Sequence, residues 1–305
     1  MASFLIRRLL LAVGVLVAVS LVSFTLLQVA GDLAQAIAGE SATATDVEAA
    51  RTAYGLDRPF LVRYVEWAGH ALRGDLGLSY FSREPVGAMI FDRMPVTAVL
   101  GLAGIAFALA ISLPLGVAAA MRPNSWLDRI CLAVAVVGQA MPSFWLALVL
   151  IVVFGLQLRW LPISGTGTWQ HFVLPAVVLG YSATPAIMRL TRTGMMEVLG
   201  SDYIRSARAK GLGWPEIVRV HALRNAMIPV ISLAAVQLGF MLGGSVIVEA
   251  VFALHGVGHL AYISISRADF PVVQGIVLVF CGIFVVLTLL GDLLNAALDP
   301  RIRLS

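Results

Sequence analysis

Long apolar runs recur along the whole chain and constrain its fold more than any other feature. A helix needs about 20 apolar residues to cross the hydrocarbon of a bilayer. Six runs reach that length, at about 5–30, 95–121, 129–156, 171–193, 226–250 and 272–297. Charged residues make up only 12% of the chain, against about 25% in soluble domains. The sequence therefore predicts an all-α, polytopic membrane protein with about six transmembrane helices.

The first run has two interpretations. Arg7 and Arg8 lie at its start and Ala36-Ile37-Ala38 follows it, as in a secretory signal peptide with its cleavage site. However, its apolar core from Leu9 to Val29 is longer than the ~7–15 residues of a signal peptide's apolar region. We therefore expect a retained first helix.

The basic residues predict the orientation. With the N-terminus in the cytoplasm, thirteen of the 21 Lys and Arg residues fall inside, and six of the remaining eight lie in the long 31–94 segment. Short loops dominate the positive-inside rule. We therefore expect both termini in the cytoplasm. The charge is spread through the loops, which argues against nucleic-acid binding.

The predicted spans divide the chain into parts. These are a first transmembrane helix (1–30), a periplasmic helical segment (31–94), a five-helix core (95–297) with a cytoplasmic loop (194–225), and a tail (298–305). Nothing in 31–94 carries a recognition signature. A packing role and contact with a delivered ligand or partner both remain open for it.

Small residues recur every four positions on two spans, a pattern that allows close helix packing. They are Gly104, Ala108, Ser112, Gly116 and Ala120 in the second span, and Ala235, Gly239 and Gly243 in the fifth. Two interpretations stay open, contact within the subunit and a seam with a second pore subunit.

The cytoplasmic loop predicts two short helices around a glycine turn. Ser201-Asp202 offers an N-cap, followed by an amphipathic stretch. Gly211 and Gly213 interrupt it, and Trp214-Pro215-Glu216 restarts a helix with proline at its first position. On physical grounds alone the loop suits a membrane-surface element or a docking surface.

The loop resembles the EAA loop of ABC importer permeases. The resemblance lies in Asp202-Tyr203-Ile204-Arg205-Ser206-Ala207-Arg208-Ala209-Lys210-Gly211-Leu212 and in His221-Ala222-Leu223-Arg224-Asn225-Ala226. It implies that the glycine marks a bend and that the region from Gly211 to Asn225 docks into an ATPase subunit. The implied ATPase-coupling residues are Asp202, Ala207, Ala209, Lys210, Gly211, Leu212, Trp214, Glu216, His221, Arg224 and Asn225.

Other blocks resemble the dipeptide, oligopeptide and nickel group of these permeases. They include Tyr54-Gly55-Leu56-Asp57-Arg58-Pro59, Met141-Pro142-Ser143-Phe144-Trp145, Gly256-Val257-Gly258 and Asp299-Pro300-Arg301. The long 31–94 segment resembles the B-type permease. The resemblance implies a type I ABC importer permease arrangement in the inner membrane of a bacterium, with a second, homologous permease, two cytoplasmic ATPase subunits and a solute-binding protein. The chain departs from the group at His255, where proline is usual, and at Trp214-Pro215.

No motif for catalysis is present in the sequence. Lys210, the only lysine, lies in Ala-Lys-Gly and not in a Gly-Lys-Ser/Thr phosphate loop. We expect no catalytic residue and no cofactor on this chain, with ATP and Mg on the partner subunits. His255 and His259 are weak metal candidates, since two histidines without further ligands rarely form a site.

Polar residues are costly inside apolar spans and mark candidate solute pathways. Gln139, Ser143, Gln237 and Glu249 are our candidates for the translocation pathway. A proton-coupled carrier would be expected to hold ionisable residues near the middle of the bilayer, but Glu249 and Asp292 fall near the ends of their spans. A secondary transporter and a non-transporting scaffold are the rival functions.

The expected function is import of a peptide or similar small solute, driven by ATP on separate subunits. Nickel chelate, glutathione and opine remain alternatives within the same class.

Overall fold

The computed structural model describes residues 2–29, 33–39 and 41–298. These residues form helices joined by loops, with one isolated bridge between Leu78 and Pro85. The chain divides into two compact units, Met1–Pro95 with His259–Val285 and Val96–Gly258 with Val286–Ser305. The all-α prediction is confirmed. The Asp299-Pro300-Arg301 block and nearly all of the predicted tail lie outside the described residues.

The α-helices in chain order are α1 (Ala2–Val29), α2 (Leu33–Ala38), α3 (Ala44–Ala53), α4 (Phe60–Leu72), α5 (Val86–Met121), α6 (Trp126–Ala140), α7 (Ser143–Leu150), α8 (Val173–Leu199), α9 (Asp202–Ala209), α10 (Trp214–Glu216), α11 (Leu223–Val251), α12 (Val257–Ser266) and α13 (Phe270–Leu298). Short π-helical segments follow α7 and α10, at Ile151–Gln157 and Ile217–Ala222, and a 3-10 turn at Trp169–Phe172 precedes α8.

Among the described residues, five helices are long and apolar enough to span a membrane, and there are six if one bent pair counts as a span. The five are Ile6–Leu26, Val86–Met121, Trp169–Leu199, Trp214–Val251 and Phe270–Leu294. The second begins at Val86, nine residues before the predicted start at 95. The prediction of about six spans is thus confirmed.

The third predicted span is the bent pair. The sequence predicted one span over 129–156, but Trp126–Ala140 and Ser143–Gln157 are bent by 102°. The break is at Met141, which has extended backbone angles (φ −83°, ψ 125°) and precedes Pro142. A proline disfavours helical geometry in the residue before it, which explains why the helix stops there and restarts.

The fourth span is continuous although it contains two prolines. Pro175 lies in the first turn of α8, where the missing N–H is tolerated. Pro185 lies inside the helix. The carbonyl of the residue before it accepts a hydrogen bond from a neighbouring helix: the hydroxyl of Ser112 on α5 donates to the oxygen of Thr184 at 2.9 Å. Ser112 thus joins α5 to α8 beside the proline, whereas the carbonyl that Pro185 leaves without a helical partner is that of Tyr181.

The small-residue face of the second span packs within the subunit. In the second unit, a methyl group on Gly180 of α8 would come within 2.2 Å of the Gly104 oxygen on α5. A methyl on Gly116 would come within 2.8 Å of Thr191. The intrasubunit interpretation is therefore confirmed for α5.

The first unit anchors the segment that follows α1. The hydroxyls of Ser20 on α1 and Tyr64 on α4 are 2.8 Å apart, and the rings of Phe60, Tyr64 and Trp67 surround Phe24 with centroids 5.5–5.6 Å away. Further along, Asp269 accepts hydrogen bonds from the Ser79 hydroxyl at 2.5 Å and the Tyr80 N–H at 2.9 Å. Segment 41–85 is therefore built onto helices of its own unit.

Candidate coupling site

The helix α9 is amphipathic and short. Ser201 takes the N-cap position with extended angles (φ −75°, ψ 156°), although its hydroxyl donates to the Val198 oxygen instead of capping the helix. Ile204 and Ala207 are buried, and the other six residues of α9 are exposed. One face of α9 is thus fixed to the protein and the rest is free to meet a partner.

Gly211 ends α9 in a Schellman motif. The Leu212 N–H donates to the Ala207 oxygen at 3.3 Å, and the Gly211 N–H donates to the Arg208 oxygen at 2.9 Å. This motif requires a left-handed residue after the helix, and Gly211 has φ +82°. A side chain there would meet no atom within 4 Å. The position therefore needs glycine for its backbone angles and not for lack of space.

The second predicted short helix does not exist as a separate element. Gly213 is the N-cap of α10, and Pro215 lies at the second position of the helix, not at the predicted first one. However, the helix then continues through the π-helical residues Ile217–Ala222 into α11 and ends at Val251. No glycine or proline lies between Pro215 and Pro229, so nothing in the sequence interrupts the helix after α10. The restart after the glycine turn is therefore the beginning of the fifth span itself.

A buried cluster joins α9 to the ends of three membrane helices. Ile204 (1% exposed) and Ala207 lie on α9, and Ile217 (0% exposed) lies in the π-helical segment. The other buried members come from the ends of α5, α8 and α11 and from the π-helical segment: Ala120, Met195, Ala226 and Ala222. Because close-packed interiors transmit displacement, a displacement of α9 would be transmitted to the ends of α5, α8 and α11.

Two polar contacts strengthen this attachment. The guanidinium of Arg208 lies 4.1 Å from the centre of the Trp214 ring, a cation–π distance. The Asn225 side-chain amide donates to the Tyr203 hydroxyl at 2.8 Å. Arg208 thereby ties the end of α9 to α10, and Tyr203 ties its beginning to α11.

Most of the predicted coupling residues are on the surface. The exposed ones are Asp202, Ala209, Lys210, Gly211, Glu216, Arg224 and Asn225. Leu212, Trp214 and His221 are half-buried, and Ala207 is buried. Residues 201–225 contain five basic and two acidic side chains. The loop therefore offers a positively charged surface with a rigid base.

An ion pair that was not predicted from the sequence lies close to this loop. Arg192 on α8 donates to Asp128 on α6 through Nε at 2.6 Å and through a terminal nitrogen at 2.7 Å. Asp128 is 2% exposed, and it also accepts from the Asn124 N–H at 3.0 Å. The available signal was Ser125, whose spacing to Asp128 is that of an N-cap to the third helical residue. The pair fixes the start of α6 to α8 one turn before Met195.

The four candidate pathway residues differ in their surroundings. Gln139 is exposed at the end of α6 and accepts from Arg189 at 3.3 Å. Ser143 is half-buried at the first position of α7, next to the bend, and Gln237 is half-buried in the middle of α11. Glu249 is completely buried. Two of them thus lie beside the bend between α6 and α7, and the other two lie on α11.

Glu249 forms the centre of a buried turn in the second unit. The Thr97 hydroxyl donates to Glu249 at 2.8 Å and accepts from the Val257 N–H at 2.8 Å. A methyl group on Gly256 would come within 2.4 Å of a Glu249 oxygen. The closeness of that carboxylate explains why glycine occupies position 256.

The two histidines lie around the start of α12. His255 is exposed before the helix and His259 is half-buried in its first turn. Gly258 is inside α12, where a side chain would clash with Val246 and Ser245. No group of three or more His, Cys, Asp or Glu residues that could hold a metal occurs in the described parts of the chain.

Comparison with known proteins identifies the family. The model of the binding-protein-dependent transport system inner membrane component matches residues 112–304, and the model of the N-terminal part of such membrane components matches residues 1–101. The glutathione transport system permease protein GsiC of Escherichia coli O6:H1 is 40% identical over 304 residues, 99% of both chains. Its namesake in Salmonella choleraesuis is 39% identical over the same length.

A solved structure supports the fold. An inward-facing structure of the MetNI methionine ABC transporter aligns with a TM-score of 0.56 at 21% identity, covering 69% of this chain and 96% of that chain. The resemblance to permeases of the peptide and nickel class is confirmed by the full-length relatives. The chain therefore belongs to the family of inner-membrane components of binding-protein-dependent transport systems, and it is a multi-pass permease subunit.

Proposed function

We propose that this permease is the B-type half of a heterodimeric importer for glutathione or a similar short peptide. The proposed partners are a second, homologous permease, two cytoplasmic ATPase subunits that hold ATP and Mg, and a solute-binding protein. The 40% identity to the glutathione transport system permease over the whole chain supports the solute class. Both termini are proposed to lie in the cytoplasm.

The packing of α9 is the observation that carries the proposed mechanism. An ATPase that binds the exposed side of α9 moves Ile204 and Ala207 with it. Those residues are packed against the ends of α5, α8 and α11. Closure of the ATPases is thereby converted into movement of three spans, so this chain needs no catalytic residue of its own. The coupling residues are the eleven that the EAA resemblance implied.

An open face of α11 supports the heterodimer. A side chain at Gly243 would meet no atom within 4 Å, and the neighbouring Phe240 and Ile247 are 63% and 48% exposed. A smooth apolar face of this kind suits close contact between membrane helices. We propose that it packs against the second permease in the lipid bilayer.

The proposed solute pathway includes Gln139, Ser143 and Gln237. Glu249 would face the pathway only if its hydrogen bond with Thr97 opens. A nickel-chelate, opine or longer-peptide importer of the same class is the alternative, and His255 and His259 would be relevant to the first of these.

The test of the proposed function is ATPase stimulation of the complete complex with its own binding protein. Glutathione, dipeptides, oligopeptides and nickel chelates are supplied in parallel. The proposal expects stimulation by glutathione or short peptides. Stimulation by nickel chelates alone would refute the solute class, and a complex that forms without any ATPase subunit would refute the coupled importer.

A further inference from the structure

A cavity lies in the first unit, away from the coupling loop and the candidate pathway residues. It measures about 460 Å³, within the ~300–1,000 Å³ of small-molecule sites. Five aromatic side chains line it: Phe24, Tyr54, Trp67, Tyr80 and Phe270. Its remaining walls include Arg58, Arg63, Glu66, Arg83 and Gln274. The cavity therefore combines aromatic walls with several hydrogen-bond donors.

Two of its guanidinium groups are not neutralised. Arg58 pairs with Glu66 at 2.8 Å. Arg63 instead donates to the Leu56 oxygen at 3.3 Å, and Arg83 donates to the Tyr54 hydroxyl at 2.5 Å. Neither forms an ion pair with any residue that the structure describes. Since a guanidinium carries five donors, both retain N–H groups for an anion.

The amide of Gln274 provides an independent indication of a ligand. Its side-chain nitrogen is buried without a hydrogen-bond partner in the described part of the chain, and the residue is only 6% exposed. An unpaired buried donor is costly and rare in folded proteins. Gln274 lines the cavity, so a rotation of its amide toward the cavity would bring the nitrogen to an acceptor oxygen bound there.

We propose that this cavity binds the carboxylate of a small organic solute, with Arg63, Arg83 and Gln274 as donors and the aromatic rings around the rest of the molecule. Arginine suits a carboxylate because its planar donors match the two oxygens. The site is distinct from the coupling loop and goes beyond the proposed function, because it does not depend on which solute is transported.

Tyr80 adds a further donor under physiological conditions. Burial, and then the neighbouring Tyr54, raises its pKa to about 12. The hydroxyl of Tyr80 therefore stays protonated at neutral pH, where a carboxylate is ionised.

The test uses the full chain in neutral phosphatidylcholine nanodiscs and follows tryptophan fluorescence, since Trp67 lines the cavity. N-acetyl-L-alanine is the probe and N-acetyl-L-alaninamide is its uncharged counterpart. We expect a saturable response to the acid and binding of the amide at least tenfold weaker, because hydrogen bonds to charged groups contribute most. Arg63→Gln should weaken binding of the acid roughly tenfold or more.

Two variants separate binding from folding. Arg73 is exposed on the same segment and does not line the cavity, so Arg73→Gln should bind the acid as the wild type does. Gln274→Met keeps the volume but removes the unpaired amide, so it should weaken binding and leave the thermal midpoint equal or higher.

Three results would overturn the proposal. The first is equal binding of the acid and the amide. The second is that Arg63→Gln and Gln274→Met bind the acid as well as Arg73→Gln does. A response to phosphatidylglycerol or inorganic phosphate without one to N-acetyl-L-alanine would assign the cavity to a phosphate group. The proposed importer can fail its own test without affecting any of these outcomes.

Discussion

Replacement of Gly211 tests whether the shape of the α9 turn couples ATP to transport. Gly211 has φ +82°, and a residue with a Cβ loses about 1–2 kcal/mol in the left-handed region. No atom lies within 4 Å of the position that a Cβ would take, so the whole cost comes from the backbone. A loss of about 1–2 kcal/mol lowers the population of the correct turn by roughly fivefold to thirtyfold.

Substitutions at position 211 should differ in a fixed order. Asparagine tolerates left-handed angles and β-branched residues do not. Transport by the complete complex in proteoliposomes should therefore fall in the order Gly, Asn, Ala, Val at position 211, with Gly211→Ala lowered roughly fivefold to thirtyfold. The ATPase activity that the solute stimulates should fall in the same order.

Gly213 provides the matched control. It has φ −66°, and a side chain there would meet only Pro215, at 3.9 Å. Gly213→Ala should therefore transport almost as well as the wild type. Equal activity of Gly211→Val and the wild type would refute the argument, and so would equal losses in Gly211→Ala and Gly213→Ala.

Three further predictions concern stability, each measured by thermal unfolding of the purified protein. Asp128→Asn should lower the free energy of unfolding by about 2–3 kcal/mol, because it leaves Arg192 without its two charged hydrogen bonds. Arg192→Lys should also be less stable than the wild type, because lysine cannot form both hydrogen bonds. Equal thermal midpoints for both variants and the wild type would contradict this. Gly180→Ala should cost about 1–3 kcal/mol by forcing α8 away from Gly104, whereas Gly282→Ala, with open space around it, should be neutral. Finally, the pKa of Tyr80 is about 12 in the folded protein against 10 for an ordinary tyrosine. The stability that Tyr80 contributes is therefore complete below pH 10 and is lost as the pH rises toward 12. Tyr80→Phe should lack this part of the loss of stability at alkaline pH.

The class of fold and the glycine turn in the cytoplasmic loop could be predicted because both depend on local patterns. Apolar length alone predicted the spans, and Gly211 between an amphipathic stretch and Trp214-Pro215 predicted the turn. The bend at Met141 was also encoded locally, by Pro142. It was not predicted, because the apolar run continues on both sides of the proline and has the length of one span. The restart at Trp214 was correct, whereas its continuation into α11 depends on the absence of a breaker.

Other features depend on contacts between distant residues, which spacing cannot provide. Arg192 and Asp128 are 64 positions apart, and their pairing follows only from the packing of α6 on α8. The same holds for Thr97 and Glu249, which are 152 positions apart, and for the small residues of α5. Glu249 was predicted as a pathway residue because a carboxylate in an apolar run is unusual. Its burial shows that such a residue can instead stabilise a turn.

The most direct test of ATP-coupled import is solute uptake into two kinds of vesicle, one with the complete complex and one with this chain alone. Vesicles with the complete complex should accumulate solute only when ATP is on the side that corresponds to the cytoplasm and the binding protein is on the opposite side. Vesicles with this chain alone should accumulate none. Uptake by the chain alone, without ATP and binding protein, would contradict the account and would favour a secondary transporter.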